Sequence, residues 1–203
     1  KGDFFGPMVI ASAYVDPQLA NAMREMDVKD SKRITSDDKL LQVGANLRKL
    51  LGKRYSIIKI GPGAYNRLYL KMRSVNSILS WGHARAIENI LSEVPDCPRA
   101  VSDQFGNAQQ VKKALMGKGR KIELIQRHKA ESDLAVAAAS IIAREQFLLS
   151  LKEMAAKYSI KIPKGVSPAV KNSAISLIGQ KGPSILLETA KCHFRTTDEV
   201  LAS

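Results

Sequence analysis

Three acidic residues stand at places in the sequence where carboxylates could act in a reaction. Asp103 follows residues 100–102, a short stretch that predicts a strand, and it precedes a polar loop. Glu131 and Asp133 lie just before a long Ala-rich stretch that predicts a helix. The ends of strands in α/β sheets commonly present functional side chains, and carboxylate oxygens are the ligands that Mg²⁺ prefers. These positions are therefore consistent with a divalent-metal site shared by Asp103 and Glu131.

Each of these acids also has a purely structural interpretation. Asp103 could begin a turn by bonding the backbone that follows it, and on the sequence alone this is the more frequent role. Acidic residues suit the positive N-terminal end of a helix, and this is the simpler interpretation of Asp133, which would lie within the first turn. Glu131 would lie just outside the helix, where its side chain could point toward Asp103.

Two basic segments offer donors for phosphate oxygens. Lys1 and Gly2 precede a predicted strand, and the loop KDSKR contains Lys29, Ser31 and Lys32. Ammonium, hydroxyl and amide groups of this kind bind nucleic-acid backbones. Solvated surface charge explains each segment at least as well when it is taken alone. The three histidines, His83, His128 and His193, show no spacing typical of metal ligands, and we expect them to have packing or surface roles.

The composition indicates a globular protein with a polyanionic partner. The chain has 203 residues, of which 32 are Lys or Arg and 19 are Asp or Glu, for a formal charge of +13. Nucleic acid is the usual partner of such a balance. Apolar residues make up 45% and charged residues 25%, which excludes a disordered chain or a fibrous repeat.

The two cysteines and the hydrophobic pattern bear on localisation. Cys97 and Cys192 are far apart and belong to no metal-binding motif, so neither a disulfide framework nor structural zinc is indicated. We find no apolar run that approaches bilayer-spanning length, and no signal-peptide pattern. We therefore expect a cytoplasmic protein that does not associate with a membrane, and we expect it to be a monomer.

The predicted elements place these side chains in an α/β fold. Strands come first and alternate with helices, and helices dominate the C-terminal part, which favours a central mixed β-sheet flanked by helices with a C-terminal helical extension. We expect one domain over residues 1–203, with an α/β core over about 1–160 and the extension over about 161–203. The strands are predicted at residues 4–14, 55–60, 100–102 and 121–125, and the main helices at 17–26, 39–51, 64–91, 132–158, 168–180 and 183–188. The pattern over 64–91 leaves open a break near Val75 and Asn76.

Three segments together resemble ribonuclease HIII, a type 2 ribonuclease H. They are KGDFFGP followed by an apolar strand, SDQF, and HKAESDLAVAAASIIAR. VKDSK, PKGVSP and AKCHF also resemble segments of that family, so the similarity runs over nearly the whole chain. The resemblance implies a ribonuclease H-like fold and an endonuclease that hydrolyses the RNA strand of RNA/DNA hybrids. It also implies a two-metal mechanism with Mg²⁺ or Mn²⁺ that leaves 5′-phosphate and 3′-hydroxyl ends.

The same resemblance assigns catalytic roles. The family uses four carboxylates, of which Asp103 corresponds to the third and Glu131 to the fourth. The first two form an adjacent Asp-Glu pair, which we expect upstream of Lys1. We also expect a small N-terminal substrate-binding domain, similar to TATA-binding protein, upstream of Lys1. Asp3 does not replace either member of the pair. The stretch after Glu131 is slightly shorter than in the family, which leaves Asp133 as a substitute.

The resemblance also assigns substrate contacts. Lys1 and Gly2 would hold the substrate backbone, and the loop with Lys29, Ser31 and Lys32 would contact phosphate. RNA would be distinguished through its 2′-hydroxyl groups in the wide minor groove of the hybrid.

Two other functions remain open at this point. Ribonuclease HII uses the same carboxylates but cleaves at single ribonucleotides in DNA. A non-catalytic nucleic-acid-binding fragment would also account for the +13 charge, because the expected Asp-Glu pair is not in this segment, which need not be active alone.

Overall fold

The computed structural model describes residues 2–26, 28, 34–105 and 108–203, with the backbone alone at Ala108 and Glu131. The strands are β1 (Met8–Ala13), β2 (Tyr55–Ile60), β3 (Arg99–Asp103) and β4 (Glu123–Arg127). The helices are α1 (Pro17–Glu25), α2 (Asp37–Leu51), α3 (Pro62–Met72), α4 (Val75–Glu93), α5 (Ala108–Ala114), α6 (Leu134–Tyr158), α7 (Pro168–Lys181), α8 (Leu186–Thr189) and α9 (Thr196–Leu201). This order of elements confirms the predicted α/β class.

The strands of the described residues form two hydrogen-bonded pairs. β1 pairs with β2, and just beyond this pair the Tyr14 N–H donates to the Arg54 carbonyl at 2.8 Å. β3 and β4 pair in parallel, with Asp103 opposite Arg127 at their C-terminal ends. Parallel neighbours need a crossover connection, which here contains α5.

Several boundaries differ from the sequence prediction for local reasons. The predicted strand 4–14 begins only at Met8, because Gly6 adopts a φ of 80° and turns the chain before the strand. The helical stretch 64–91 is broken, and the break left open near Val75 and Asn76 falls slightly earlier, since Arg73 takes the left-handed conformation and Ser74 caps α4. β4 lies two residues later than predicted because residues 119–121 form a short 3₁₀ helix.

The chain forms two compact units, each built from separate segments. Unit 1 contains residues 1–9, 59–73 and 146–203, and unit 2 contains residues 10–58 and 74–145. The core of unit 1 is aromatic at its N-terminal segment, where Phe4 and Phe5 are buried. The aliphatic and small side chains that complete this core are Leu151, Ile162, Val170, Ala174, Leu177, Ile185, Leu186, Ala190 and Val200.

Unit 2 places β3 and β4 on a core supplied by α4. Ile87 and Leu91 of this helix are buried with Leu115, and Leu124 of β4 packs against the same cluster. The Glu88 carboxylate, on the same helix, accepts hydrogen bonds from the backbone N–H groups of residues 116, 118 and 119 at 2.7, 3.2 and 2.8 Å. These bonds fix the loop that leads into β4.

Helix α6 corrects one expectation from the sequence. Its 25 residues include an 18-residue window of mean hydropathy 1.5, so by length and composition it could cross a membrane. Core helices of soluble proteins pass the same test, and 44% of this window is buried. The expectation that no apolar run approaches bilayer-spanning length is therefore wrong, and the absence of a membrane partner stays a prediction.

Candidate active site

Asp103 lies at the C-terminal end of β3, as the sequence predicts, and is half-buried. Its carboxylate Oδ1 accepts a hydrogen bond from the Ala130 N–H at 3.3 Å. The next backbone N–H, that of Gln104, donates to the Arg127 carbonyl at 3.2 Å. The end of β3 is thus joined both to the end of β4 and to the segment that follows β4, and this fixes the position of the Asp103 carboxylate.

Glu131 follows directly after the residue that binds Asp103. It is the middle residue of a short 3₁₀ helix over Ala130–Ser132, which begins after Lys129 in the left-handed conformation, with φ of 56°. Ala130 is fully buried, so this turn is anchored in unit 2. The backbone of Glu131 therefore lies beside the Asp103 carboxylate, while the Glu131 side chain is outside the described part of the structure.

Asp133 caps helix α6. Its Oδ1 accepts from the Ala135 N–H at 2.9 Å, and its carbonyl accepts from the Ala137 N–H at 2.9 Å. Its other carboxylate oxygen lies 3.9 Å from Arg127 Nη2, in a pair whose Arg side chain is 52% exposed. This arrangement agrees with the structural interpretation of Asp133, in which the acid satisfies the free N–H groups at a helix start.

Three exposed residues, Arg127 at the end of β4 and then His128 and Lys129, precede the turn that contains Glu131. They bring two fixed positive charges close to the acids without burying them. Exposed cations beside carboxylates suit a phosphate backbone that must approach a metal site. The sequence motif that begins at His128 did not by itself assign a substrate contact to these basic residues.

The predicted substrate-binding residues are only partly covered by the structure. Gly2 is exposed, and a Cβ placed on it would have nothing within 4 Å. After Gly2, the Asp3 carboxylate accepts from the Gly165 N–H at 2.9 Å, and the Phe4 N–H donates to the Gly165 carbonyl at 3.0 Å. Lys1, Lys29, Ser31 and Lys32 lie outside the described residues.

The structure reveals a buried cation that the sequence analysis missed. Lys191 is fully buried in unit 1, and its ammonium group donates to the carbonyls of Phe5 and Gly6 at 3.2 and 2.8 Å. Burial lowers the pKa of Lys191 to about 8, and the nearby Asp3 carboxylate opposes this shift. The only signal in the sequence was the AKCHF segment, whose residue types do not reveal that its lysine is buried.

The histidines pack as expected where the structure gives their contacts. His83 stacks on Phe105 with ring centroids 4.9 Å apart, and Tyr65 Oη lies 3.1 Å from His193 Nδ1. Burial and the charge of Lys191 lower the pKa of His193. Within the described residues, no group of three or more His, Cys, Asp or Glu side chains is placed to hold a metal ion.

The acidic side chains at and near Asp103 nevertheless suit a hard divalent cation as ligands. A half-buried carboxylate stands at a strand end with a second acid on the adjoining turn, and oxygen is the only ligand type that they supply. Mg²⁺ and Mn²⁺ accept such oxygen ligands, whereas zinc sites more often use Cys and His.

Comparison with known proteins identifies the family. A family model described as Ribonuclease HII matches residues 1–197. The chain belongs to the ribonuclease HII family. A ribonuclease HIII of Chlamydia trachomatis serovar L2 is 42% identical over 205 residues, which cover 100% of this chain and 67% of that protein. The predicted resemblance to ribonuclease HIII is thereby confirmed.

Solved structures of the family have the same fold. Bst-RNase HIII, in complex with Mn²⁺, superimposes with a TM-score of 0.90 at 28% identity, over 100% of this chain and 66% of that chain. RNase H3 of Aquifex aeolicus gives a TM-score of 0.77 at 32% identity, over 96% and 69%. These matches confirm the ribonuclease H-like fold.

The family assignment also confirms the predicted enzyme class. Ribonucleases HII and HIII are nucleases and therefore hydrolases. The chain spans about two thirds of the length of the relatives that it matches.

Proposed function

We propose that this chain forms the catalytic part of a ribonuclease that hydrolyses the RNA strand of RNA/DNA hybrids with Mg²⁺ or Mn²⁺. The observation that carries the proposal is the bond between the Asp103 carboxylate and the Ala130 N–H, which joins a strand-end acid to the turn that contains Glu131. Family membership and the Mn²⁺ complex of Bst-RNase HIII support it.

In this proposal Asp103 and Glu131 hold the metal ions. Two bound divalent ions would supply a nucleophile at neutral pH and stabilise the charge on the departing oxygen, leaving 5′-phosphate and 3′-hydroxyl ends. Asp103 is preset for this role, because its hydrogen bond to the Ala130 N–H restricts its rotation. Asp133 is the weaker candidate, since one of its carboxylate oxygens caps α6 and the other faces Arg127.

The cationic residues bind the nucleic-acid backbone. Arg127 and Lys129 are exposed next to the acids, and Gly2 is open to solvent, so a phosphate backbone can approach both segments closely. We assign Lys1 and Gly2 to the substrate backbone, and Lys29, Ser31 and Lys32 to phosphate, on the family resemblance. The +13 charge supports a polyanionic substrate.

The test is a substrate panel with protein that includes any native residues upstream of Lys1. The substrates are a continuous RNA/DNA hybrid, a DNA duplex with one embedded ribonucleotide, duplex DNA and duplex RNA, each with Mg²⁺, Mn²⁺ or chelator. We expect metal-dependent cleavage of the RNA strand of the hybrid, with 3′-hydroxyl ends that a polymerase can extend.

Two outcomes would contradict the proposal. Cleavage restricted to the embedded ribonucleotide would indicate ribonuclease HII specificity. Equal, metal-independent binding of all four substrates without cleavage would leave a nucleic-acid-binding module.

We further propose a cytoplasmic monomer. Both cysteines, Cys97 and Cys192, are free thiols, which agrees with a reducing compartment. Light scattering on the purified protein tests the monomer, and a dimer mass would overturn it.

A further inference from the structure

The burial of Lys191 needs an explanation, because a buried cation is costly unless its donors are satisfied. Its side chain is fully buried, and it belongs to unit 1, whose apolar core includes the adjacent residue Ala190. An apolar side chain of similar volume would fill the same space without that cost. We therefore look for the reason for its burial in the groups that the ammonium binds, which are the carbonyls of Phe5 and Gly6.

These two carbonyls belong to the segment between Gly2 and strand β1. Gly6 has a φ of 80°, and a Cβ on it would lie 2.7 Å from Leu151 Cδ2, so only glycine fits this turn. The turn directs the Phe5 and Gly6 carbonyls inward, where buried carbonyl groups need a donor. Lys191 supplies that donor to both.

The backbone of residues 189–191 also forms hydrogen bonds with residues 4–6. The Lys191 N–H donates to the Phe4 carbonyl at 2.9 Å, and the Gly6 N–H donates to the Thr189 carbonyl at 2.9 Å. Phe5 and Ala190 form a β-bridge. Residues 189–191 thus hold three consecutive residues, 4–6, by both backbone and side-chain bonds.

Residues 190–193 are in turn fixed to α3. The Asn66 amide donates to the Ala190 carbonyl at 2.9 Å and accepts from the Cys192 N–H at 2.9 Å. Tyr65 Oη lies 3.1 Å from His193 Nδ1, and Tyr65 is itself fully buried. Residues 190–193, which bind the segment that begins at Gly2, are therefore themselves held in place by α3.

We propose that Lys191 is a positioning residue that holds residues 2–6 so that Lys1 and Gly2 meet the substrate backbone. This inference rests on the proposed function, in which Lys1 and Gly2 contact the hybrid. Lys191 itself is enclosed and does not touch substrate. It acts on the substrate through the two carbonyls that it binds, because Gly2 lies only three residues before Phe5.

A double-mutant cycle between Lys1 and Lys191 tests the proposal in hybrid-cleaving protein. We expect Lys1→Ala and Lys191→Met each to raise KM severalfold with little change in kcat. We expect Lys1→Ala to have almost no further effect in the Lys191→Met background, because the misplaced segment no longer reaches the substrate. The slope of log Kd against log salt should fall by about one in both single variants, although only Lys1 contacts phosphate.

Lys161→Met is the matched control, since Lys161 is an exposed lysine of unit 1 and its loss changes the net charge equally. It should leave KM and the salt slope unchanged. If Lys191→Met unfolds at the assay temperature, Lys191→Gln, which keeps one amide donor, takes its place in the cycle.

Additive effects of Lys1→Ala and Lys191→Met would overturn the positioning role while leaving the proposed function intact. An unchanged KM in folded Lys191→Met would do the same. If the wild-type protein binds hybrids without cleaving them, the Kd values of the wild-type, single-variant and double-variant proteins replace KM in the cycle. In that case the nuclease proposal alone fails. No hybrid binding by wild-type protein would overturn both.

Discussion

Glu131 and Asp133 lie two residues apart, and we propose different roles for them. The Asp133 side chain caps α6 through the Ala135 N–H, a task that an Asn side chain performs equally well. We therefore expect Asp133→Asn to keep metal-dependent cleavage and thermal stability. Asp133→Ala should lose about 1 kcal/mol of unfolding free energy while keeping activity. Denaturant titration and hybrid cleavage, with Glu131→Gln beside them, measure both effects.

The result that contradicts this assignment is a folded Asp133→Asn protein as inactive as Glu131→Gln. The ion pair with Arg127 would not account for such a loss, because that arginine is 52% exposed and exposed pairs contribute little.

Part of the candidate site could be predicted from residue types alone. An acid after a short β-rich stretch and acids before an Ala-rich helix were sufficient to select Asp103, Glu131 and Asp133. The Lys191 hydrogen bonds could not be predicted in this way, because they are made to Phe5 and Gly6, which lie far away in the sequence. Burial of a lysine is a tertiary property that neither its type nor its neighbours along the chain reveal.

At the scale of elements, the loop before β4 leads into the strand whose last residue, Arg127, pairs with Asp103. Glu88 of α4 accepts three backbone N–H groups of that loop and is 9% exposed. We expect Glu88→Ala to lower the free energy of unfolding by about 2–4 kcal/mol, because it leaves these donors without their acceptor. Urea denaturation measures the change.

Glu93→Ala is the control, because Glu93 is exposed at the end of the same helix, and its effect should stay within about 0.5 kcal/mol. A loss in Glu88→Ala no larger than in this control would show that the loop holds its position without the carboxylate.

Hydrophobic periodicity predicted most elements but not their ends. The break left open near Val75 and Asn76 falls earlier in the chain, at Arg73, whose left-handed conformation divides α3 from α4. Periodicity likewise placed β4 too early, since it contains no information on the Glu88 bonds that fix residues 116–119. Boundaries that depend on backbone conformation or on distant partners are beyond what a local pattern can predict.

At the scale of the whole molecule, the sequence motifs were more informative than the composition. A charge of +13 indicates nucleic acid but no reaction. The motifs SDQF and HKAESDLAVAAASIIAR, in their order, pointed to the family that the 42% identity and the TM-score of 0.90 confirm. Two compact units of discontinuous segments were not foreseen, because contacts between distant segments leave no trace in local periodicity.

The most direct test of the proposed metal-dependent nuclease activity is single-turnover cleavage of a labelled RNA/DNA hybrid by Asp103→Asn, with Asp96→Asn as control. Asp96 is an exposed acid that precedes β3, whereas Asp103 ends it. We expect Asp103→Asn to bind the hybrid normally but cleave it at least about a hundredfold more slowly in Mg²⁺ or Mn²⁺, while Asp96→Asn cleaves at the wild-type rate. Wild-type cleavage by a folded Asp103→Asn protein would contradict the assignment of this carboxylate to the metal site.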